Sequence, residues 1–513
     1  MPRSLPPARR ARGVLPALAA LLAACLAGGC GGAREIAPEA ACRQLSWDGR
    51  PRAASVVLIV ADTLRRDALG AYGGPAETPH FDAFAARHLR FDGAFSQAPW
   101  TKPSMVTLFT SWYPSQHQVL APSLPEPLAA ALDARDPTDR ALESEGLAPE
   151  FVTLAEVLRD AGWRTAGFVA NPWLGRALGF DQGFQVYDDA LAAWNADGTR
   201  VSEAGLAWLH GVPGTARFLL YLHYMDPHRP YPALTLDELA EHAGALEADR
   251  RPLSDEARRA IDRLVRLEGN LSASAAGVPV SRALLELAYR KGVEHFDRAL
   301  GVFLDGFAAH AAAEDAVVIV TSDHGEALYT RGYGNHGRGL HDDELAVPLA
   351  AQLPGVGAPG GAVSCTAGLV DLLPTLCDYL GVPCPEPLYG RSLLGAAAPA
   401  RYLVSEGVGG RPEHRTLRNR NWKLLHTPGG GPGDAGDGPW LLYDVARDPD
   451  ETRDLLAAEE PPGAAGRAFE TLSAALPAAV PPTDPPGRHR ARLPPDVEAR
   501  LRALGYLEGE EAP

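Results

Sequence analysis

The sequence predicts an α/β sandwich, with a central, mostly parallel sheet between helices and a small antiparallel subdomain near the C-terminal end. Three observations carry that expectation. Largely apolar runs occupy residues 55–61, 218–223 and 316–321, the first and third rich in β-branched residues, each of strand length and without polar alternation, as in strands buried on both faces. Helical patterns lie between them, at 151–161 and 282–309, and strands alternating with helices favour parallel pairing. Two of the runs stop abruptly at polar residues, Asp62 and Ser322-Asp323-His324, and in parallel sheets ligands gather beyond the carboxyl ends of the strands.

Taken in order, residues 1–30 read as an address. Arg3, Arg9, Arg10 and Arg12 precede a short apolar stretch that contains Pro16. It falls short of the roughly 20 apolar residues of a membrane span and matches a signal peptide. Leu22-Ala23-Ala24-Cys25 and Ala27-Gly28-Gly29-Cys30 both resemble a bacterial lipoprotein box, in which the cysteine is lipidated after cleavage. An ordinary secretory peptide is the alternative. Either way the chain is expected to be exported, periplasmic or at the cell surface, and with a lipidated Cys25 or Cys30 it is anchored to the membrane. A tether (31–54), a catalytic domain (55–400) and a small β subdomain (401–456) follow, the last read from RYLVSEG, NWKLLH and WLLYDV. Residues 457–513 read as a Pro/Ala-rich linker closing in a helix. Stretches 121–150 and 234–275 look like insertions. Of the later cysteines, Cys42, Cys365, Cys377 and Cys384, the pair Cys377 and Cys384 is spaced to close a short loop.

Composition narrows the function. The 513 residues are 46% hydrophobic and 22% charged, which excludes wholesale disorder. Lys plus Arg is 48 against 64 Asp plus Glu, a formal charge of −16. That balance disfavours nucleic acid as a partner, while a local cationic site can still hold a small anionic ester, glycan or lipid head group.

Four segments carry candidate chemistry, and each also has an ordinary explanation. Asp62 can end a turn, Thr101 can cap a helix, Asp323-His324 can be a loop pair, and His228 in Asp226-Pro227-His228 can lie in a surface turn. Together they place strand-end acids, an imidazole and a hydroxyl at a helix N-terminus on one sheet edge. Asp62, Asp323 and His324, with Thr101, suit one divalent cation. A hydroxyl beside that cation loses its proton more easily and becomes a nucleophile. The set is suited to in-line displacement at phosphorus or sulfur.

The ordered segments VVLIVADTLRRDALGAYGG, APWTKPSM, LHYMDPHRPY, TSDHGEAL and DLLPTLCDYLGV resemble the sulfatase family of the alkaline phosphatase superfamily. The resemblance runs from about residue 55 to 394 and more loosely through LRNRNWKLLH and LLYDVARDPDETRDL. It implies an alkaline-phosphatase-like sandwich and a hydrolase with one divalent metal, held by Asp62, Asp323, His324 and the nucleophile. Thr101 takes the place of the family's Cys or Ser, followed by Pro103 and Ser104. His228 matches an oxyanion-holding histidine. His336 falls near a substrate-binding Lys or His, and Asn171 falls where many members carry Lys-x-His. Lys102 joins these as a candidate for substrate binding.

The departures decide the chemistry expected. Most members convert the signature residue to formylglycine, whose hydrate attacks sulfur and then expels sulfate by collapsing to the aldehyde. Thr101 has no such route, Met105 replaces the signature Arg, and Thr63 replaces a second metal-binding Asp. Hydrolysis or transfer of a phosphate ester, phosphodiester or phosphonate through a covalent Thr101 intermediate is the leading expectation. Sulfate-ester hydrolysis without formylglycine comes second, and non-catalytic binding of an anionic glycan or lipid third. Few carboxylates and a histidine shift the expected ion from Ca²⁺ toward Mn²⁺, Zn²⁺ or Mg²⁺.

Overall fold

A computed structural model describes residues 36–38, 45–120, 143–191, 197–229, 231, 278–395, 400–409, 411–428, 439–457 and 463–503. The leader with Cys25 and Cys30, residues 121–142 and the 234–275 insertion lie outside the described residues.

Eight strands form the main sheet: β1 (Val56–Ala61), β2 (Leu89–Phe95), β3 (Arg164–Val169), β4 (Val186–Asp188), β5 (Phe218–Tyr224), β6 (Val317–Ser322), β7 (Leu349–Gln352) and β8 (Ala362–Gly368). Their order is β8-β2-β7-β6-β1-β5-β3-β4, and β7 alone runs antiparallel to its neighbours. The expected mostly parallel sheet is therefore present. The lack of alternation in β1 has a direct cause. Val56, Leu58 and Val60 pack into one core, and Val57, Ile59 and Ala61 into the other, so both faces need apolar side chains.

Helices cover each face. α1 (Pro79–Arg87), α4 (Gly198–His210) and α5 (Val278–Ala308) pack through Phe81, Val201 and Phe296 on one side. α2 (Thr101–Thr110), α3 (Leu154–Asp160) and α6 (Leu372–Leu380) pack through Val106, Leu158 and Leu376 on the other. All ten residues of α2 are buried. Among the described residues no helix is long and apolar enough to cross a membrane.

Register sets the functional edge. Val60 lies opposite both His223 and Thr321, and Ala61 opposite Tyr224 and Ser322. β1, β5 and β6 thus end level, and whatever follows them shares one place.

A second sheet, β9 (Leu403–Val408), β10 (Arg411–Arg418), β11 (Lys423–His426) and β12 (Trp440–Tyr443), is antiparallel in sequential order. β10 was not legible because its pattern RPEHRTLR is charged. Its arginines find acids, Arg415 on Glu406 at 2.9 Å and Arg418 on Asp342 at 2.7 Å. The Pro/Ala-rich stretch read as a loose linker contains α7 (Ala464–Ala479). Alanine is the strongest helix former, and Ala465, Ala468, Leu472 and Leu476 make one stripe against the second sheet. α8 (Pro495–Ala503) is the expected closing helix. Part of the first insertion, Glu143–Gly146, pairs with His489–Arg492. Cys377 and Cys384 form a disulfide, with Cα atoms 5.6 Å apart.

Candidate active site and metal centre

Asp62 leaves β1 with its N–H on the Tyr224 carbonyl at 2.9 Å. Thr63 follows at φ 55°, a left-handed conformation that β-branched residues avoid. The strained turn is held from three directions. Thr63 N–H donates to Asp323 Oδ1 at 3.2 Å, its carbonyl accepts the Tyr289 hydroxyl at 2.8 Å, and Leu64 N–H donates to Ser322 Oγ at 2.9 Å. Such strain persists where the surroundings over-determine it, and here it aims a backbone donor at Asp323.

β6 delivers Asp323 and His324. His324 Nδ1–H donates to the Gly325 carbonyl at 2.8 Å, which leaves a lone pair on Nε2. Thr101 is the first residue of α2, and Trp100 occupies the cap position. Its hydroxyl is therefore not spent on capping. Oγ1 lies 3.2 Å from His324 Nε2 and 3.3 Å from Asp62 Oδ2. The first-turn N–H groups behind it have no partner within the helix, and the positive dipole end lies there. Ser104 Oγ donates to the Asp323 carbonyl at 2.6 Å, which pins α2 to the end of β6.

Asn171 completes the contact set. Its Oδ1 accepts Trp173 N–H at 2.8 Å, which fixes the amide orientation. Nδ2 then donates to Asp62 Oδ2 at 2.5 Å and faces Thr101 Oγ1 at 3.4 Å. Beyond His324 an imidazole ladder runs to His336 and His228, with ring centroids 4.5 Å and 5.3 Å apart at the two steps. His336 Nδ1 faces Glu326 Oε2 at 3.3 Å, and His228 Nδ1 bonds the Arg229 carbonyl. Asp62, Thr101, Asn171, His228, Asp323, His324 and His336 are thus together. Lys102 is engaged elsewhere: its buried ammonium donates to Ser144 Oγ at 2.7 Å and the Glu145 carbonyl at 2.6 Å. Burial brings it down to about 7. Met105 is core.

Two residues at this edge escaped the sequence reading. His223 lies inside the apolar run of β5, where a single histidine reads as core. Glu326 is a fully buried carboxylate two residues past His324. A titratable residue at the end of a buried strand was the available signal for His223, the same that marked Asp62.

The electrostatics call for a cation. Burial, with Asp323 beside it, pushes Asp62 well above the usual carboxylate range, and burial brings Asp323 up to about 7. Asp62 Oδ1 and Asp323 Oδ2 are buried without a hydrogen-bond partner. Two orphaned carboxylate oxygens and neutral imidazoles are the donor set of a divalent ion, so the residues fit the metal the resemblance implies.

A pH dependence follows from the raised carboxyls. In the metal-free protein they hold protons that the unfolded chain releases above about pH 4. The folded state then binds more protons, so stability falls as pH rises from about 4 through 7. An ion that binds the ionised pair removes that cost. Melting temperatures of chelator-treated and Mn²⁺-loaded protein should diverge more at pH 8 than at pH 5, and an equal gap would count against an ion between these acids.

A family model described as Sulfatase matches residues 54–382. Human N-sulphoglucosamine sulphohydrolase is 26% identical over 399 residues, 74% of this chain and 74% of that protein. The structure of BT4656 in complex with its substrate D-glucosamine-2-N,6-O-disulfate superposes with a TM-score of 0.62 at 16% identity, covering 83% of this chain and 97% of that one. The phosphonate monoester hydrolase of Agrobacterium radiobacter gives 0.59 at 20% identity, covering 84% and 96%. At these identities the structural likenesses speak to the fold.

Proposed function

The chain belongs to the sulfatase family and is a sulfatase-like hydrolase; from that premise we propose that it cleaves phosphate esters, phosphodiesters or phosphonates through a covalent Thr101 intermediate. The observation that carries this is an unmodifiable threonine hydroxyl set 3.2 Å from His324 and 3.3 Å from Asp62.

Asp62, Asp323 and His324 would hold the divalent ion, with Mn²⁺, Zn²⁺ or Mg²⁺ favoured over Ca²⁺ by the imidazole. When bound, it supplies positive charge that eases ionisation of a neighbouring hydroxyl and offsets charge on the oxyanion. The chain's own residues do the rest. Asn171 keeps Asp62 and the Thr101 hydroxyl aligned. Thr101 Oγ1 releases its proton to solvent and attacks phosphorus, the bond to the opposite oxygen breaks, and the leaving oxygen takes a proton that the imidazole ladder has drawn from solvent. Burial, with the charges of His324 and Arg229 beside it, holds His336 well below its ordinary range, and burial, with His336 beside it, holds His228 at about 3. The ladder is therefore neutral until an anionic ester brings charge that lets it hold a proton. Water then attacks the phosphothreonine and restores the hydroxyl.

A second reading, sulfate-ester hydrolysis, is favoured by the names of the relatives. It needs water to attack a sulfothreonine, because no second hydroxyl is present to collapse to an aldehyde. Nitrophenyl phosphodiester, phosphonate, phosphate and sulfate substrates with one common leaving group separate the two. The phosphodiester kcat/KM should exceed that for sulfate by at least about tenfold, a discrimination of roughly 1.4 kcal/mol. The reverse ranking would promote the sulfate reading.

We also propose that the protein is exported and lipid-anchored through Cys25 or Cys30. The leader supports this, and so does the Cys377–Cys384 disulfide, a bond typical of oxidising compartments. Replacing both leader cysteines with serine should release the protein from the membrane fraction, and retention there would argue against the anchor.

A further inference from the structure

Resting on the metal-dependent reading above, we infer that His223 is a further ligand of the ion, which makes the centre a site of two imidazoles and two carboxylates. His223 is fully buried, and neither of its ring nitrogens has a hydrogen-bond partner. Buried imidazoles ordinarily satisfy at least one nitrogen. The other three at this edge do so, on Gly325, Glu326 and Arg229.

The geometry points the orphan at the ion site. His223 Nε2 lies 3.9 Å from Asp62 Oδ2. One nitrogen of His223 and one oxygen each of Asp62 and Asp323 lie within 4.8 Å of one another. Two atoms each about 2.1 Å from one ion stand roughly 3.0–4.2 Å apart, so the 3.9 Å separation suits a shared ion. His324 Nε2 approaches the same acids, at 3.4 Å from Asp323 Oδ2 and 3.8 Å from Asp62 Oδ1.

The register explains how the residue comes to be there. His223 sits opposite Val60, one residue short of the β1 end that delivers Asp62, so its backbone is fixed by the sheet while its ring reaches the edge. Thr63, which offers only a hydroxyl, lies in the turn after β1. Exchanging a carboxylate for an imidazole removes a hard anionic donor and adds a borderline nitrogen, which favours Zn²⁺ or Mn²⁺ over Ca²⁺.

Two measurements test this. Pulsed EPR on the Mn²⁺-loaded wild-type protein should resolve two coordinated imidazole nitrogens, and a single one would overturn the inference even if no variant folds. Calorimetric titration of chelator-treated protein should show His223→Gln weakening Zn²⁺ by at least about tenfold while Ca²⁺ changes much less. Unchanged Zn²⁺ affinity would overturn the assignment. Asp323→Ala, titrated beside it, should lose the ion altogether. Binding that survives Asp323→Ala sinks the ion-site reading itself, whereas loss in Asp323→Ala with intact affinity in His223→Gln sinks His223 alone.

Discussion

Thr101→Ala is expected to lower kcat/KM by about four orders of magnitude, the scale on which removal of a covalent nucleophile is felt, while the protein stays folded. Both halves follow from the same contacts. The hydroxyl is held by Asp62 Oδ2, His324 Nε2 and Asn171 Nδ2, the contacts that set it up as the attacking oxygen. It caps no helix, because Trp100 takes that position, and Asp62 Oδ2 keeps the Asn171 donor when the hydroxyl is gone. The stability change should therefore stay within about 1–2 kcal/mol, the cost of one lost buried hydrogen bond. Thr101→Ser should keep substantial turnover, since the reacting oxygen survives. Acid-quenched wild-type protein should carry an added mass of about 80 Da on the Thr101 peptide, as a covalent intermediate requires. Turnover retained in Thr101→Ala, with kcat near the wild-type value, would rule out the covalent role.

Much of this site was legible because parallel sheets expose function at strand ends. Asp62 and Asp323-His324 each break a continuous apolar run, and that break is visible in a bare string of residues. Thr101 needed the family resemblance, since a threonine before a helix is ordinarily a cap. His223 also ends its run, but Tyr224 and Met225 follow it, so the break is weaker there than at Asp62 or Asp323; the register with Val60 puts its ring at the edge. Asn171 was placed by resemblance to lost cations, but its contacts with Asp62 and Thr101 depend on its own side chain capping the turn at Pro172–Leu174, which sequence does not reveal. Outside the site, β10 and α7 were missed where charge pairing and alanine propensity outweigh hydrophobic pattern.

The largest stability effect is expected from Lys423→Met, about 3–5 kcal/mol, the range for breaking a buried ion pair on one side. Lys423 is fully buried at the start of β11. Its ammonium stands 2.7 Å from Asp342 Oδ1 and 2.5 Å from Glu451 Oε1. Arg418 also binds Asp342, at 2.7 Å, and Arg331 binds Glu451, at 3.3 Å. Asp342 belongs to the same loop as His324 and His336, and Gly337 of that loop bridges the Pro99 carbonyl at 2.9 Å and the Gly409 N–H at 3.2 Å. The second sheet thus braces the loop that carries the imidazole ladder, and Lys423 is the cation shared by both sides. Burial raises Glu451 to about 7 even with Lys423 beside it. Without that ammonium its folded-state value rises further, the folded protein takes up a proton the unfolded chain does not, and the loss must grow with pH. Denaturant unfolding at pH 6 and pH 8 should show the greater loss at pH 8. Pairing Lys423→Met with Glu451→Gln should recover much of it, because the second change removes the carboxylate left uncompensated. A single-variant loss below about 1 kcal/mol, the scale of an exposed pair, would mean that the loop is braced by the backbone contacts at Gly337 and not by charge.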